Sequence, residues 1–117
     1  MAVDWARPVV HWEIEARDPE RAKAFYSAMF GWDIGEGFIM NIPAGIGGPE
    51  PGPGGHIRQS ERSGVALYVQ VRDLRESLDR AVELGGAITL EPMDIPGGPT
   101  IAGITDPEGN PVSLVQQ

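Results

Sequence analysis

Apolar and polar residues alternate from Pro8 to Ala16. Val10, Trp12, Ile14 and Ala16 fall on one face of a predicted strand; His11, Glu13 and Glu15 fall on the other. Asp18 then supplies a helix cap and Pro19 a first helical residue. Ala22, Phe25, Tyr26, Met29 and Phe30 follow at helical spacing as one apolar stripe, and Gly31 stops the helix. Trp32 to Ile34 and Phe38 to Ile42 are predicted as short strands. A loop of mostly Gly and Pro follows from Pro43 to Gly55. Gly54 to Gln59 is a further strand, with His56 and Arg58 on one face and Ile57 on the other.

The order then repeats. Leu67, Val69 and Val71 share one face of a strand over Val65 to Val71, and Ala66, Tyr68 and Gln70 the other. Asp73 caps a helix that turns Leu74, Leu78, Ala81 and Val82 inward and ends at Gly85-Gly86. Strands are predicted over Ala87 to Leu90, Thr100 to Thr105 and Val112 to Val115. Glu91 to Pro99 is a turn-rich connection, and Asp106-Pro107-Glu108-Gly109-Asn110 a tight turn. Each half therefore reads β-α-β-β-β, and the caps Asp18 and Asp73 stand 55 positions apart. The organisation expected is one domain of two modules, residues 8–59 and 64–117, joined by a polar linker at 60–63.

Composition narrows the function classes. The chain has 117 residues, too few for two independent domains, so the halves are expected to share a core or to dimerise. A net charge of −8 argues against nucleic acid and anionic membrane surfaces as partners. With no cysteine there is neither a disulfide framework nor a thiolate metal site. No apolar run is long enough to span a membrane, and a cytoplasmic protein is expected. The Gly-rich loop lacks the Gly-Lys-Ser/Thr ending of a phosphate-binding loop, and no helix follows it. Trp5, in the N-terminal arm, could cover a neighbouring subunit or pack locally.

Three segments carry a family resemblance. The first is His11-x-Glu13-Ile14 with Asp18-Pro19-Glu20-Arg21-Ala22-x-Ala24-Phe25-Tyr26 and Phe30-Gly31-Trp32. The second is Ala81-Val82-Glu83-Leu84-Gly85-Gly86, and the third is Asp106-Pro107-Glu108-Gly109-Asn110-Pro111-Val112. Together they resemble the vicinal oxygen chelate superfamily of glyoxalases, extradiol dioxygenases, epimerases and bleomycin-resistance proteins. The resemblance implies an α+β fold: two tandem βαβββ modules whose strands form a cup-shaped, curved mixed sheet with the helices outside. It also implies a homodimer. It does not fix the chemistry, because one scaffold serves many functions.

Metal-dependent members of the superfamily place ligands on the first and last strand of each module. His11 matches the first position, and His56 is the ligand type available at the second. Ala66 stands at the third and Ser113 at the fourth, and neither suits a transition metal. A divalent metal would need His11, His56 and Glu13 together, although Glu13 lies about 7 Å along the strand from His11. No metal or other cofactor is favoured. The reading is a small-molecule-binding protein of the glyoxalase/bleomycin-resistance type, holding a small hydrophobic or aromatic ligand in the cup. His11, Glu13, His56, Tyr68, Gln70 and Ser113 are its candidate ligand contacts. The alternative is a lyase, isomerase or epimerase with His11 or His56 as the catalytic proton carrier. Glu13 is expected either to pair with His11 or Arg58 or to be solvated. Glu15 is expected to be a solvated or interface residue. Trp12 is expected in the core under the first helix. Trp32, Phe38 and Met40 are open between core and cavity.

Overall fold

A computed structural model describes residues 7–43 and 53–116. Trp5 and most of the Gly/Pro loop lie outside the described residues. The fold is α+β, with seven strands and two helices among the described residues. The chain divides into two compact units, His11–Ala66 and a second that joins Leu67–Gln117 with Met1–Val10.

In the first unit, β1 (Val9–Ala16) leads into α1 (Pro19–Phe30), followed by β2 (Ile39–Ile42) and β3 (Gly55–Gln59). The strand order is β2-β3-β1, with β3 parallel to β1 and antiparallel to β2. Asp18 caps α1 through its side-chain oxygen, 3.1 Å from the Arg21 amide. Gly31 ends the helix with φ 70°, a left-handed conformation that favours glycine. The core gathers Ile14, Ala16, Ile34, Met40, Ile42 and the fully buried Ile57, with Trp12, Ala22, Tyr26 and Trp32 packed on it. Trp12 thus belongs to the core edge beside the helix, as its alternation requires. Trp32 and Met40 are packing residues, whereas Phe38 is 72% exposed.

Two expectations for this unit change. Trp32 to Ile34 forms no strand. Ile34 is buried, and the residue after it meets β2 through one backbone bond, Gly35 N to Asn41 O at 2.9 Å, rather than through a ladder. The apolar stripe of α1 is also only partly used. Ala22 and Tyr26 reach the core, but Phe25, Met29 and Phe30 are exposed and no residue of the helix is buried.

In the second unit, β4 (Gly64–Val71), α2 (Leu74–Glu83), β5 (Ala87–Asp94), β6 (Thr100–Thr105) and β7 (Pro111–Gln116) follow the expected order; β4 begins just before the division between the units. The strand order is β4-β7-β6-β5, parallel between β4 and β7 and antiparallel elsewhere. Asp73 caps α2 at the Glu76 amide, and the Gln116 side chain accepts from the Leu74 amide at 2.8 Å. The core holds Val71, Leu74, Leu78, Ala102 and Leu114. Strand β5 runs four residues past the expected Leu90. It is the end strand of its unit, and register shifts around Leu90 carry it past Pro92, which has no amide to donate. Val82, expected inward, is 52% exposed.

The contrast along α2 is testable. Leu78→Ala should cost about 2–5 kcal/mol in denaturant unfolding, and Val82→Ala should stay within about 0.5 kcal/mol. Equal costs would contradict the placement of the helix.

Candidate functional site

The polar face of β1 is where the first unit gathers its chemistry. The register of β3 on β1 sets Glu13 beside His56 and Glu15 beside Arg58. Laterally paired residues share a face, so five polar side chains converge. Gly55 makes this register possible. It sits opposite Trp12, and a Cβ there would lie 2.6 Å from the Trp12 carbonyl oxygen and collide with the indole ring. The Trp12 Nε1–H donates to the Pro53 carbonyl at 3.0 Å, which ties the entry of β3 to β1.

The side chains form a continuous chain of hydrogen bonds. Arg58 Nε donates to Glu13 Oε2 at 2.8 Å, and Arg58 Nη2 reaches Glu13 Oε1 at 3.3 Å. His56 Nε2 lies 2.7 Å from Glu13 Oε2. On its other edge, His56 Nδ1 lies 2.8 Å from His11 Nε2. Arg58 Nη2 also reaches Glu15 Oε1 at 3.2 Å. Glu15 further accepts from Ser60 Oγ at 3.2 Å and from Arg62 Nε at 3.2 Å. Ser60 is held for this by its amide, which donates to the Ala16 carbonyl at 2.8 Å.

Glu13 and Glu15 are each 5% exposed and His56 6%. Ionised groups so buried need close partners, and here each carboxylate has an arginine. No buried side-chain nitrogen or oxygen among the described residues lacks a hydrogen-bond partner. Burial alone would raise the Glu13 pKa, but the hydrogen bonds from His56 and Arg58 outweigh it and hold the carboxyl at about 2. The pKa of His11 is lowered, first by burial and then by the neighbouring His56, against a smaller upward pull from Glu13.

An ionised Glu13 only accepts, so His56 donates from Nε2. With a single proton on His56, its Nδ1 accepts and His11 donates from Nε2. In that arrangement Nδ1 of His11 carries no proton. The lowered pKa keeps this imidazole neutral near pH 7.

This arrangement does not fit a divalent metal. Two imidazole nitrogens bound to one tetrahedral ion at about 2.0–2.1 Å stand about 3.3 Å apart, wider than the 2.8 Å between His11 and His56. Glu13 meets the opposite ring edge of His56, so the three donors do not converge on one point. Among the described residues no group of three His, Asp or Glu side chains could hold a metal ion.

Tyr68, Gln70 and Ser113 belong to the second unit. Tyr68 stands opposite Ser113 and Gln70 opposite Val115 in the β4–β7 register, and Tyr68, Gln70 and Ser113 are partly buried. Ala66 is 5% exposed. The expectation for Glu15 is corrected: it is buried and doubly paired, because β3 brings Arg58 alongside it. The roles of Ser60 and Arg62 were missed. Two alternating carboxylates on β1 and two arginines, one on β3 and one just after it, were the available signal. On the apolar side of β1, an open groove of about 510 Å³ lies against α1, lined by Ile14, Ala16, Ala22, Phe25, Tyr26 and Val65 among others; His11, Glu13 and His56 do not line it.

The chain belongs to the glyoxalase-like domain family of the vicinal oxygen chelate superfamily: the family model matches residues 11–115. A glyoxylase-like domain-containing protein of Didymella fabae is 31% identical over 108 residues, covering 84% of each chain. CFP32 of Mycobacterium bovis is 27% identical over 124 residues, and the match takes in 89% of this chain but 43% of that protein. Among solved structures, methylmalonyl-CoA epimerase from Mycobacterium tuberculosis has the same fold, with a TM-score of 0.63, 18% identity, and coverage of 92% of this chain and 86% of that one.

The buried pairing has a pH signature. Glu13 titrates near 2 when folded against an ordinary 4.5, so its stabilisation is complete above about 4.5 and is lost as pH falls toward about 2. His11, lowered from 6.5, resists protonation when folded and adds a loss of the same sign below 6.5. Stability to urea should therefore fall on acidification from pH 7, and Glu13→Gln should flatten the part below about 4.5. An identical slope in wild type and variant would contradict the pairing.

Proposed function

We propose that this chain is a small-molecule-binding member of its family whose polar centre transfers a proton without a metal. The observation that carries this is the 2.8 Å contact between His11 and His56, backed by Glu13 and Arg58. A neutral His11 with a proton-accepting Nδ1 can take a proton from carbon next to a carbonyl. The C–H electron pair then moves onto the carbonyl oxygen as an enolate, and His11 returns the proton. The positive charge on His11 is offset through His56 by Glu13. Return to a neighbouring atom makes the site an isomerase, whereas epimerisation would need a second proton donor on the opposite face of the enolate. The fold shared with methylmalonyl-CoA epimerase supports this class.

Tyr68, Gln70 and Ser113 are proposed ligand contacts. Assembly is proposed as a homodimer, for which the exposed Phe25, Met29 and Phe30 of α1 offer an apolar surface. The second reading is ligand sequestration without turnover. It is favoured by the complete internal pairing of the carboxylates, which can orient a ligand while taking no part in chemistry.

Deuterium uptake separates the two. Acyl-CoA thioesters and small α-hydroxy ketones are incubated with the protein in D2O, and exchange next to the carbonyl is followed by NMR. The expected result is exchange in one or more of them, reduced about 100-fold or more in His11→Ala. Binding without exchange supports sequestration. Exchange that survives His11→Ala contradicts the proposed base.

A further inference from the structure

The groove of about 510 Å³ between α1 and the apolar side of β1 lies apart from the proposed proton-transfer site. We propose that it binds a small carboxylate with an apolar body, its charge held by Arg17 and Arg21. The volume suits a small organic ligand. Ile14 and Ala16, each buried, form the floor. Phe25 and Tyr26 of α1 and Val65 of β4 form walls, and Phe25 and Val65 are more than half exposed. An apolar ligand body would take that surface out of water. The groove is also amphipathic along its length. Arg21 stands one helical turn before Phe25, about 6 Å along the axis, and Arg17 directly follows Ala16. Both cations therefore lie where β1 turns into α1, and the apolar walls run on from there.

Charge selects the anion. The chain carries a net charge of −8, and Lys23, Arg58, Arg62, Arg75 and Arg80 are each ion-paired with a glutamate. Arg17 and Arg21 have no carboxylate partner among the described residues. Arg17 donates through Nε to the Glu61 carbonyl at 2.8 Å, which anchors its side chain and leaves the outer edge of the guanidinium. Two carboxylates share the groove, and both are engaged. Glu15 is held by Arg58, Arg62 and Ser60, and Asp18 Oδ1 accepts from the Arg21 amide. A guanidinium fork matches a carboxylate with two parallel bonds, whereas a cationic ligand would meet like charge there. Met29 and Phe30, a turn further along α1, do not line the groove and remain for the proposed dimer surface.

Octanoate is the probe, titrated below its micelle concentration into the full chain and followed by ¹⁵N–¹H amide correlation spectra. Saturable shifts are expected at residues 21–26 and 63–65, and the affinity should fall as NaCl is raised. Octanol, the same body without the charge, should bind at least about threefold more weakly, and octylammonium more weakly still. The double variant Arg17→Gln/Arg21→Gln should bring octanoate down to the affinity of octanol. Val65→Glu, which sets a like charge on an exposed wall and leaves both arginines in place, should abolish the octanoate shifts. Equal binding of octanoate and octanol overturns the proposal. So do an unchanged octanoate affinity in the double variant and shifts that fail to saturate or fall elsewhere. An octanoate affinity that drops as the protein is concentrated would assign the groove to a second copy of the chain and also overturn it.

Discussion

The ion pair between Arg58 and Glu13 is the contact on which the rest of the site depends. A carboxylate that is 5% exposed is strongly disfavoured without a counter-charge. With the guanidinium across both its oxygens, Glu13 stays ionised and must accept a proton from whatever lies beside it. That neighbour is His56, whose second nitrogen lies 2.8 Å from His11 Nε2. Glu15 and Arg62 extend the same logic and leave the two buried carboxylates matched by two arginines.

The backbone makes this pairing unavoidable. Parallel register on β1 places every second residue of β3 against Glu13 and Glu15, and a one-residue slip would send His56 and Arg58 to the apolar side. Two features oppose such a slip. Ile57 is completely buried among Ile14, Met40 and Ile42, and the Trp12 ring occupies the space where any other residue at position 55 would carry its Cβ. The core on one face of the strands therefore fixes the chemistry on the other.

Much of this was legible in the sequence. Asp18-Pro19 and Gly31 marked both ends of α1, and the alternation of His11, Glu13 and Glu15 marked a polar face. The burial of that polar face was not legible, because alternation assigns residues to faces and says nothing of what covers each one. For that reason alternation leaves Glu15 as a solvated or interface residue, not a buried one. The fate of Phe25, Met29 and Phe30 was hidden in the same way: a stripe at helical spacing marks an apolar side, and α1 covers only part of it. Trp32 to Ile34 has strand composition, but a strand needs a partner ladder, which local pattern does not report.

The direct contact of 2.8 Å between His11 Nε2 and His56 Nδ1 is the observation on which the proposed site rests. A crystal structure of the protein grown with Zn²⁺ present, with anomalous data at the zinc edge, tests it most directly. Direct contact between His11 Nε2 and His56 Nδ1 near 2.8 Å, with no anomalous peak between the rings, is the expected result. A zinc ion bound by both imidazoles, with their nitrogens spread to about 3.3 Å, would contradict it.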